Sequence, residues 1–446
     1  MTNLPLDGIR IVDLTVVWAG THVTQLLAEW GAEVIRVEPR TAIQSSTRSA
    51  EIRPQPAAVL RELAKAGMTT SGFPDFEAGE DYWNRGAAFN SHARNKKSVT
   101  ADVMTPEGRE LFLRLVEVSD VVVENNVPET IEKAGLTYDA LCERNPKIIM
   151  VRMPGFGLSG PYKNYRGFGM HMEAMVGHTY LRSYPDAGVP AAGGVVTGDA
   201  IAGVTGAFAV AMALRHRQRT GRGQQVELPQ AETFLSVLGE FILERTANGR
   251  DPGPQGNSHR VHAPHGYYQC KADHRWGDDM WIGIDCDSDD AWVALCEVLE
   301  AEDLLFDERF ATASGRFECR DELDRLLPKY TQQHDVQALF LQFQAAGVIA
   351  GPVQNEAMAH ACPQLAERGF FEELTAARTG THRYPGLVFK MANTPNHLRM
   401  PSPWLGEHND YIYRELLGYS EEEYQALQDK QLVGEGYAPG VLPGSK

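Results

Sequence analysis

What the sequence has little of narrows it first. Only six cysteines occur in 446 residues, at 142, 270, 286, 296, 319 and 362, each isolated and with no C-x-x-C pair. That pattern excludes a disulfide framework and a zinc knuckle, leaves no metal site expected, and points to reduced thiols. No uninterrupted apolar run of about 18 residues is present, and MTNLPLDGIRIVDL lacks a basic stretch followed by an apolar one. No membrane segment or secretion signal is therefore expected, and a soluble cytoplasmic protein is. Positive charge is scarce: 42 Lys and Arg against 59 Asp and Glu leave a net charge of -17. A nucleic-acid surface is excluded on that balance, and any anionic ligand must be held by a local basic pocket. G-x-x-x-x-G-K-[ST] and G-x-S-x-G are both missing, which excludes a P-loop and argues against an α/β-hydrolase.

What is there is an ordinary globular composition, 43% hydrophobic and 23% charged, in a chain too long for one hydrophobic core. Residues 9–14, 33–37, 121–123 and 148–153 read as strands; 22–30, 106–118 and 138–144 read as helices, the second opened by Thr105 and Pro106. Strands alternating with helices imply a mostly parallel sheet, a Rossmann-like α/β region. The alternation fails between Arg40 and Phe89, where Pro54, Pro56, Gly67, Gly72, Pro74 and Gly79 mark an insertion with one short helix at 59–66 and no assigned catalytic role. A central helix rich in Ala, Gly and Val runs over 200–217, suited to close packing. Beyond Gly256 the texture changes to loops, aromatic residues, a strand at 280–284 and helices over 290–299, 319–333 and 336–346, a smaller α+β domain. A last helix is expected at 421–430.

Two features imitate sites. Gly155-Phe-Gly157-Leu-Ser-Gly160 fits G-x-G-x-x-G, but Pro161 and Tyr162-Lys-Asn follow, so no helix start is available for a pyrophosphate. His259, His262 and His265, near Cys270 and His274, are interrupted by Pro264 and lack the i, i+4 spacing of a helical metal site. Asp199, in Val195-Val-Thr-Gly-Asp-Ala-Ile-Ala-Gly203 ahead of the central helix, is readable either as an N-cap or as a reactive carboxylate. Spacing alone does not choose between them.

A resemblance does. Leu6-Asp-Gly-Ile-Arg-Ile-Val-Asp-Leu14, Ala28-Glu-Trp-Gly-Ala-Glu-Val-Ile-Arg-Val-Glu-Pro39, Arg94-Asn-Lys-Lys97, Thr105-Pro-Glu-Gly-Arg109, Val123-Glu-Asn125, Gly155-Phe-Gly157, Arg219-Thr-Gly-Arg-Gly-Gln224, Arg309-Phe-Ala-Thr312, and Ala346-Gly347 with Gly351-Pro-Val353 resemble the class III CoA-transferases, the formyl-CoA and carnitine CoA-transferase family. The resemblance implies a Rossmann-like large domain built from both chain ends with a small domain between, here 1–230, a linker and flap at 231–265, a small domain at 266–360 and a return segment at 361–446. It implies an interlocked dimer, with a heteromer of related chains also open. It implies an enzyme that moves CoA from an acyl-CoA to a carboxylic acid, with CoA as substrate and no resident cofactor, and Asp199 as the nucleophile that carries CoA as a thioester.

Residue by residue, the resemblance assigns CoA contacts to Lys133, Arg166 and Asn125, puts Arg40 beside a third basic position, and adds Arg94, Lys96 and Lys97 in support. Trp18 stands where formyl-CoA transferases have a glutamine near the thioester, Gly169 where they have a glutamate, and Gly256–Gly266 lacks their run of flap glycines. A larger or less polar acyl group than formyl is implied. Two alternatives stay open. An α-methylacyl-CoA racemase needs a second proton-transfer group, whose position falls at Phe168 with only His171 nearby as a substitute. A weakly catalytic partner subunit would account for Trp18, Gly169 and the altered flap, and Asp199 argues against it.

Overall fold

The computed structural model describes residues 4–48, 55–66, 72–187, 197–254, 256–277 and 279–441. Pro54 and Gly67 of the insertion, and Val195 and Val196 of the motif before the central helix, lie outside them. One compact unit comprises Met1–His178, Gly194–Asn248 and Phe370–Lys446, and the other Thr179–Gly193 and Gly249–Gly369.

The larger unit is built on six strands: β1 (Arg10–Leu14), β2 (Glu33–Glu38), β3 (Lys96–Thr100), β4 (Val121–Glu124), β5 (Ile149–Arg152) and β6 (Gln224–Glu227). They run parallel in the order β3-β2-β1-β4-β5-β6. Alternating side chains feed two separate cores, as the two-residue period of a strand requires. Val12, Val122 and Met150 face the helix Pro106–Glu117 and the returning residues Ile412, Tyr413 and Tyr424. Ile11, Val121, Val123, Ile149 and Val151 face the first helix, Ala19–Glu29, and the central helix, Gly198–Thr220. Thr105 caps its helix as expected, accepting from Gly108 N at 3.1 Å.

The central helix is apolar enough over 18 residues (mean hydropathy 1.2) to cross a bilayer by length and composition, and one side of it, with Ala202, Val210 and Ala213 buried, packs along the first helix. Its glycines make that packing possible. A Cβ on Gly203 would lie 2.5 Å from His22 Cδ2, and one on Gly206 2.6 Å from Val23 Cγ2.

Two strands of the six-stranded sheet have no counterpart in the sequence pattern. β3 opens on two lysines, and Lys96 is nonetheless fully buried because its Nζ reaches Asp13 Oδ2 (3.1 Å), Thr24 Oγ1 (2.8 Å) and the Thr21 carbonyl (2.9 Å). β6, Gln-Gln-Val-Glu, is an edge strand with half of its residues exposed. The insertion contributes a helix at Ala57–Lys65 and a small core of Leu60, Phe73 and Tyr82. It is tied to the sheet by Arg48, whose Nε and Nη2 donate to the Glu38 carboxylate at 2.7 and 2.6 Å.

The smaller unit has an antiparallel sheet of β7 (His265–Gln269), β8 (Trp281–Asp285) and β9 (Ile349–Val353). Helices Asp289–Val298 and Val336–Ala345 cover it through Trp292, Leu295, Leu339 and Phe343. The single helix expected over 319–333 is two, Arg320–Leu326 and Pro328–Thr331, because Pro328 has no N–H to continue the ladder.

Candidate active site

In an open parallel sheet, a crevice opens beyond the carboxyl ends of the strands where their order reverses, here between β1 and β4. A cavity of about 560 Å³ lies there. Its lining follows the strand ends: Val16 and Val17 beyond β1, Asn125 and Asn126 beyond β4, Gly155 beyond β5 and Gln230 beyond β6, joined by Arg166, Phe168, His171 and Asp199.

The loop after β1 is held rigidly. The Asn125 side chain pairs with the Val16 backbone, Oδ1 accepting from its N–H at 2.7 Å and Nδ2 donating to its carbonyl at 2.9 Å. Val17 N donates to Thr47 Oγ1 at 2.8 Å, so the insertion, given no catalytic role from the sequence, supports the loop at the site. Val17 itself has φ of 59°, a left-handed conformation that a β-branched residue holds only when its surroundings impose it. The loop delivers the N-terminus of the first helix to Asp199, whose Oδ1 accepts from Ala19 N at 3.2 Å.

Asp199 is the second residue of the central helix and is 8% exposed. It is not the cap. Thr197 occupies the N-cap position without a side-chain cap, and the Thr197 and Gly198 amides donate instead to Glu173 Oε1, at 2.8 and 2.9 Å. Burial raises the Asp199 pKa and the Glu173 charge adds to it, against the Ala19 and Asp199 amides that favour the anion. The result is a partly desolvated carboxylate of raised basicity at the wall of a cavity, which is what a nucleophilic carboxylate requires.

Gly198 is fixed by contact: a Cβ there would lie 2.4 Å from Cε2 of Phe234, itself fully buried. Gly198→Ala is expected to destabilise the chain by about 1–3 kcal/mol through overpacking. Urea unfolding of the variant measures this, and an unchanged midpoint would show that the ring yields freely.

Arg166 and Asn125 therefore meet Asp199 at one cavity. The other candidates lie outside its lining. Trp18 is the N-cap residue of the first helix, with its ring 5.2 Å from that of His92, whose pKa burial lowers to about 4. Arg40 donates to the carbonyls of Val433 (2.8 Å) and Gly436 (3.0 Å) and so anchors the returning chain. Lys133 is an exposed side chain paired with Glu129 at 2.7 Å on the helix Pro128–Ala134. Lys97 is at the opposite end of the sheet, 2.5 Å from Glu33 and over the Tyr411 ring. Arg94 pairs with Glu29 at 2.8 Å, and Lys96 is buried on Asp13.

Gly169 opens the helix Gly169–Met175, and His171 Nδ1 accepts from Phe168 N at 3.1 Å. Gly157 and Gly160 have φ of 90° and 85° and form turns with no helix behind them. In the smaller unit, the Gly256–Gly266 stretch has its histidines engaged locally: His262 Nδ1 lies 2.8 Å from Asp285 Oδ1, and His265 Nδ1 2.6 Å from the Asn257 carbonyl. Glu173, the Ala19 amide and Thr47 carry no motif, and only the fold brings the first two to Asp199 and the third to the Val17 loop.

A family model described as CoA-transferase family III matches residues 6–409. The chain is 32% identical over 429 residues to the succinyl-CoA–D-citramalate CoA-transferase of Chloroflexus aurantiacus, covering 96% of this chain and 98% of that one. It is 31% identical over 416 residues to the succinate–glutarate CoA-transferase of Agrobacterium fabrum, covering 92% and 96%. Its fold matches the crystal structure of a CaiB/BaiF family protein from Brucella suis with a TM-score of 0.78 at 31% identity, over 93% of this chain and all of that one.

Proposed function

The chain belongs to CoA-transferase family III and is an enzyme of that class, and from this premise we propose that it moves CoA from a dicarboxylic acyl-CoA such as succinyl-CoA to a carboxylic acid through a thioester on Asp199. The observation that carries the reading is a buried carboxylate at the sheet's switch point, held by the Ala19 amide and its own while the Thr197 and Gly198 amides go to Glu173.

The Asp199 carboxylate attacks the thioester carbonyl, the C–S bond breaks, and CoA leaves as thiolate, giving a mixed anhydride. The thiolate then attacks the aspartyl carbonyl, releasing the donor acid as its carboxylate and leaving aspartyl-CoA. The acceptor carboxylate attacks that thioester, and the returning thiolate takes the acceptor acyl group and frees Asp199. Each step develops an oxyanion, for which backbone amides are the natural donors in a site shielded from water. Arg166 is the proposed contact for CoA phosphate, while Asn125, with both amide groups engaged by Val16, acts by holding the loop. A donor larger than formate agrees with the succinyl and glutaryl substrates named for the two relatives. The proposal sets the reaction in the cytoplasm, where six unpaired cysteines stay reduced. Incubation with succinyl-CoA alone, followed by intact-protein mass spectrometry, tests the reading. A CoA adduct that hydroxylamine removes is expected, and no adduct at any donor concentration would overturn it.

The central helix supports a second part of the proposal. Val204, Phe208 and Met212, one turn apart on its outer side, are 56%, 63% and 49% exposed, and Leu243, on the helix Gly239–Asn248 of the same unit, is 66% exposed. A second copy of the chain is the proposed cover, a related subunit the alternative. Light scattering is expected to give twice the 49.3 kDa chain mass for the wild type and a monomer for Phe208→Glu. A monomeric wild type would favour the heteromer.

A further inference from the structure

A carboxylate at the start of a helix ordinarily serves the helix, accepting its free amides. Here that work is done by a different element. Glu173, 3% exposed on the helix Gly169–Met175, accepts from both Thr197 N (2.8 Å) and Gly198 N (2.9 Å) through Oε1. Its Oε2 lies 3.1 Å from His178 Nδ1, and the His178 ring packs on Phe234 at 4.8 Å. Phe234 in turn leaves no room for a side chain on Gly198.

We propose that Glu173 is a positioning residue for Asp199: it caps the central helix in the nucleophile's stead and sets a second negative charge beside it, with His178 fixing the outer oxygen. This rests on Asp199 being the nucleophile and adds a residue to that site which spacing and motif do not mark.

Two physical effects follow and separate cleanly. The first is geometric. Were Asp199 to turn back onto the helix amides, its oxygens would leave the cavity, and a displacement of about 1 Å costs on the order of 100-fold in rate. The second is electrostatic. A neighbouring anion disfavours ionisation of Asp199 and makes its carboxylate a stronger nucleophile. Among the described residues, the remaining ionisable groups around Asp199 are few. Arg166 and His171 line the same cavity, and His22 on the first helix sits against Gly203 with its pKa lowered by burial. Arg152 on β5 is paired with Glu124 at 2.8 Å, while Glu227 on β6 and Glu232 beyond it are exposed.

The test compares Glu173→Gln with Glu173→Ala, using succinyl-CoA as donor and glutarate as acceptor, with Asp199→Asn in parallel. Glutamine keeps an acceptor oxygen and loses the charge: kcat is expected within about threefold of wild type, with the acidic limb of kcat/KM displaced to lower pH. Alanine loses both, and kcat is expected to fall about 10- to 100-fold with KM nearly constant. A purely structural residue would lower the melting temperature in both variants without moving the limb and without rescue of kcat by glutamine, and that result overturns the proposal. If Asp199→Asn is inactive and both Glu173 variants turn over normally, this inference alone fails. If Asp199→Asn stays active, the nucleophile reading fails and this one with it.

Discussion

Asp199→Asn is expected to reduce transfer by about 1,000-fold or more while the protein melts no lower than wild type. The amide side chain is the same shape and still offers an oxygen to Ala19 N, 3.2 Å from Asp199 Oδ1, so the first and central helices remain joined. It has no carboxylate to attack a thioester, and neither anhydride nor aspartyl-CoA can form. The stability side follows from linkage. Burial raises the folded-state pKa of Asp199 above its unfolded value, so between those values the folded chain binds more proton, and stability falls as pH rises through that window. Above that window the wild type carries this penalty in full, and asparagine removes it. Residual turnover above a few per cent, with deamidation excluded by mass, would remove Asp199 from the mechanism.

Lys96→Met is expected to destabilise the protein by about 3–5 kcal/mol, the usual result of removing one partner from a buried ion pair. Methionine replaces the hydrocarbon stem but strands Asp13, which is 0% exposed. In the intact protein burial opposes the Asp13 charge, but Lys96 and Arg36, aided by Thr15 and Thr24, hold its pKa down to about 2. After the change only Arg36, with Nη1 3.6 Å from Asp13 Oδ2, remains as a cation. A depressed carboxylate pKa contributes stability above the unfolded value that is lost as pH falls toward the folded one, so the acid-unfolding midpoint of the variant should also move up. Urea unfolding at neutral pH measures the first effect and a pH titration followed by circular dichroism the second. A cost below about 1 kcal/mol would mean that water or a rearranged Arg36 replaces the lysine.

The βαβ opening was legible because Ile11, Val12, Val34 and Ile35 carry the pattern of a strand covered on both faces, and Ala19–Glu29 lies between them. β3 was not, since Lys-Lys-Ser-Val-Thr becomes strand-like only when Asp13 and Thr24, far away in sequence, accept its lysine. The same blindness affects basic residues as a class. Arg40, Arg94, Lys96, Lys97, Lys133 and Arg166 look alike along a chain, and partners at a distance give most of them structural duties while Arg166 alone of these lines the cavity. Asp199 stood out at the head of the central helix, but whether it capped that helix depended on Glu173, which belongs to another element and announces nothing by its spacing.

The order in which the large unit is threaded has a consequence for its manufacture. A ribosome releases β1, the first helix and Asp199, then makes Gly249–Gly369 of the smaller unit before Ile412, Tyr413, Tyr424 and Val433 emerge to close the core beneath the sheet. Arg40 waits for the carbonyls of Val433 and Gly436, which follow it by 393 and 396 residues. During that interval the nascent sheet carries an uncovered apolar face, the condition in which chaperones bind and chains aggregate. A nonsense codon or proteolytic nick near residue 405 would spare every group that touches the substrate cavity and still yield a chain unable to assemble it.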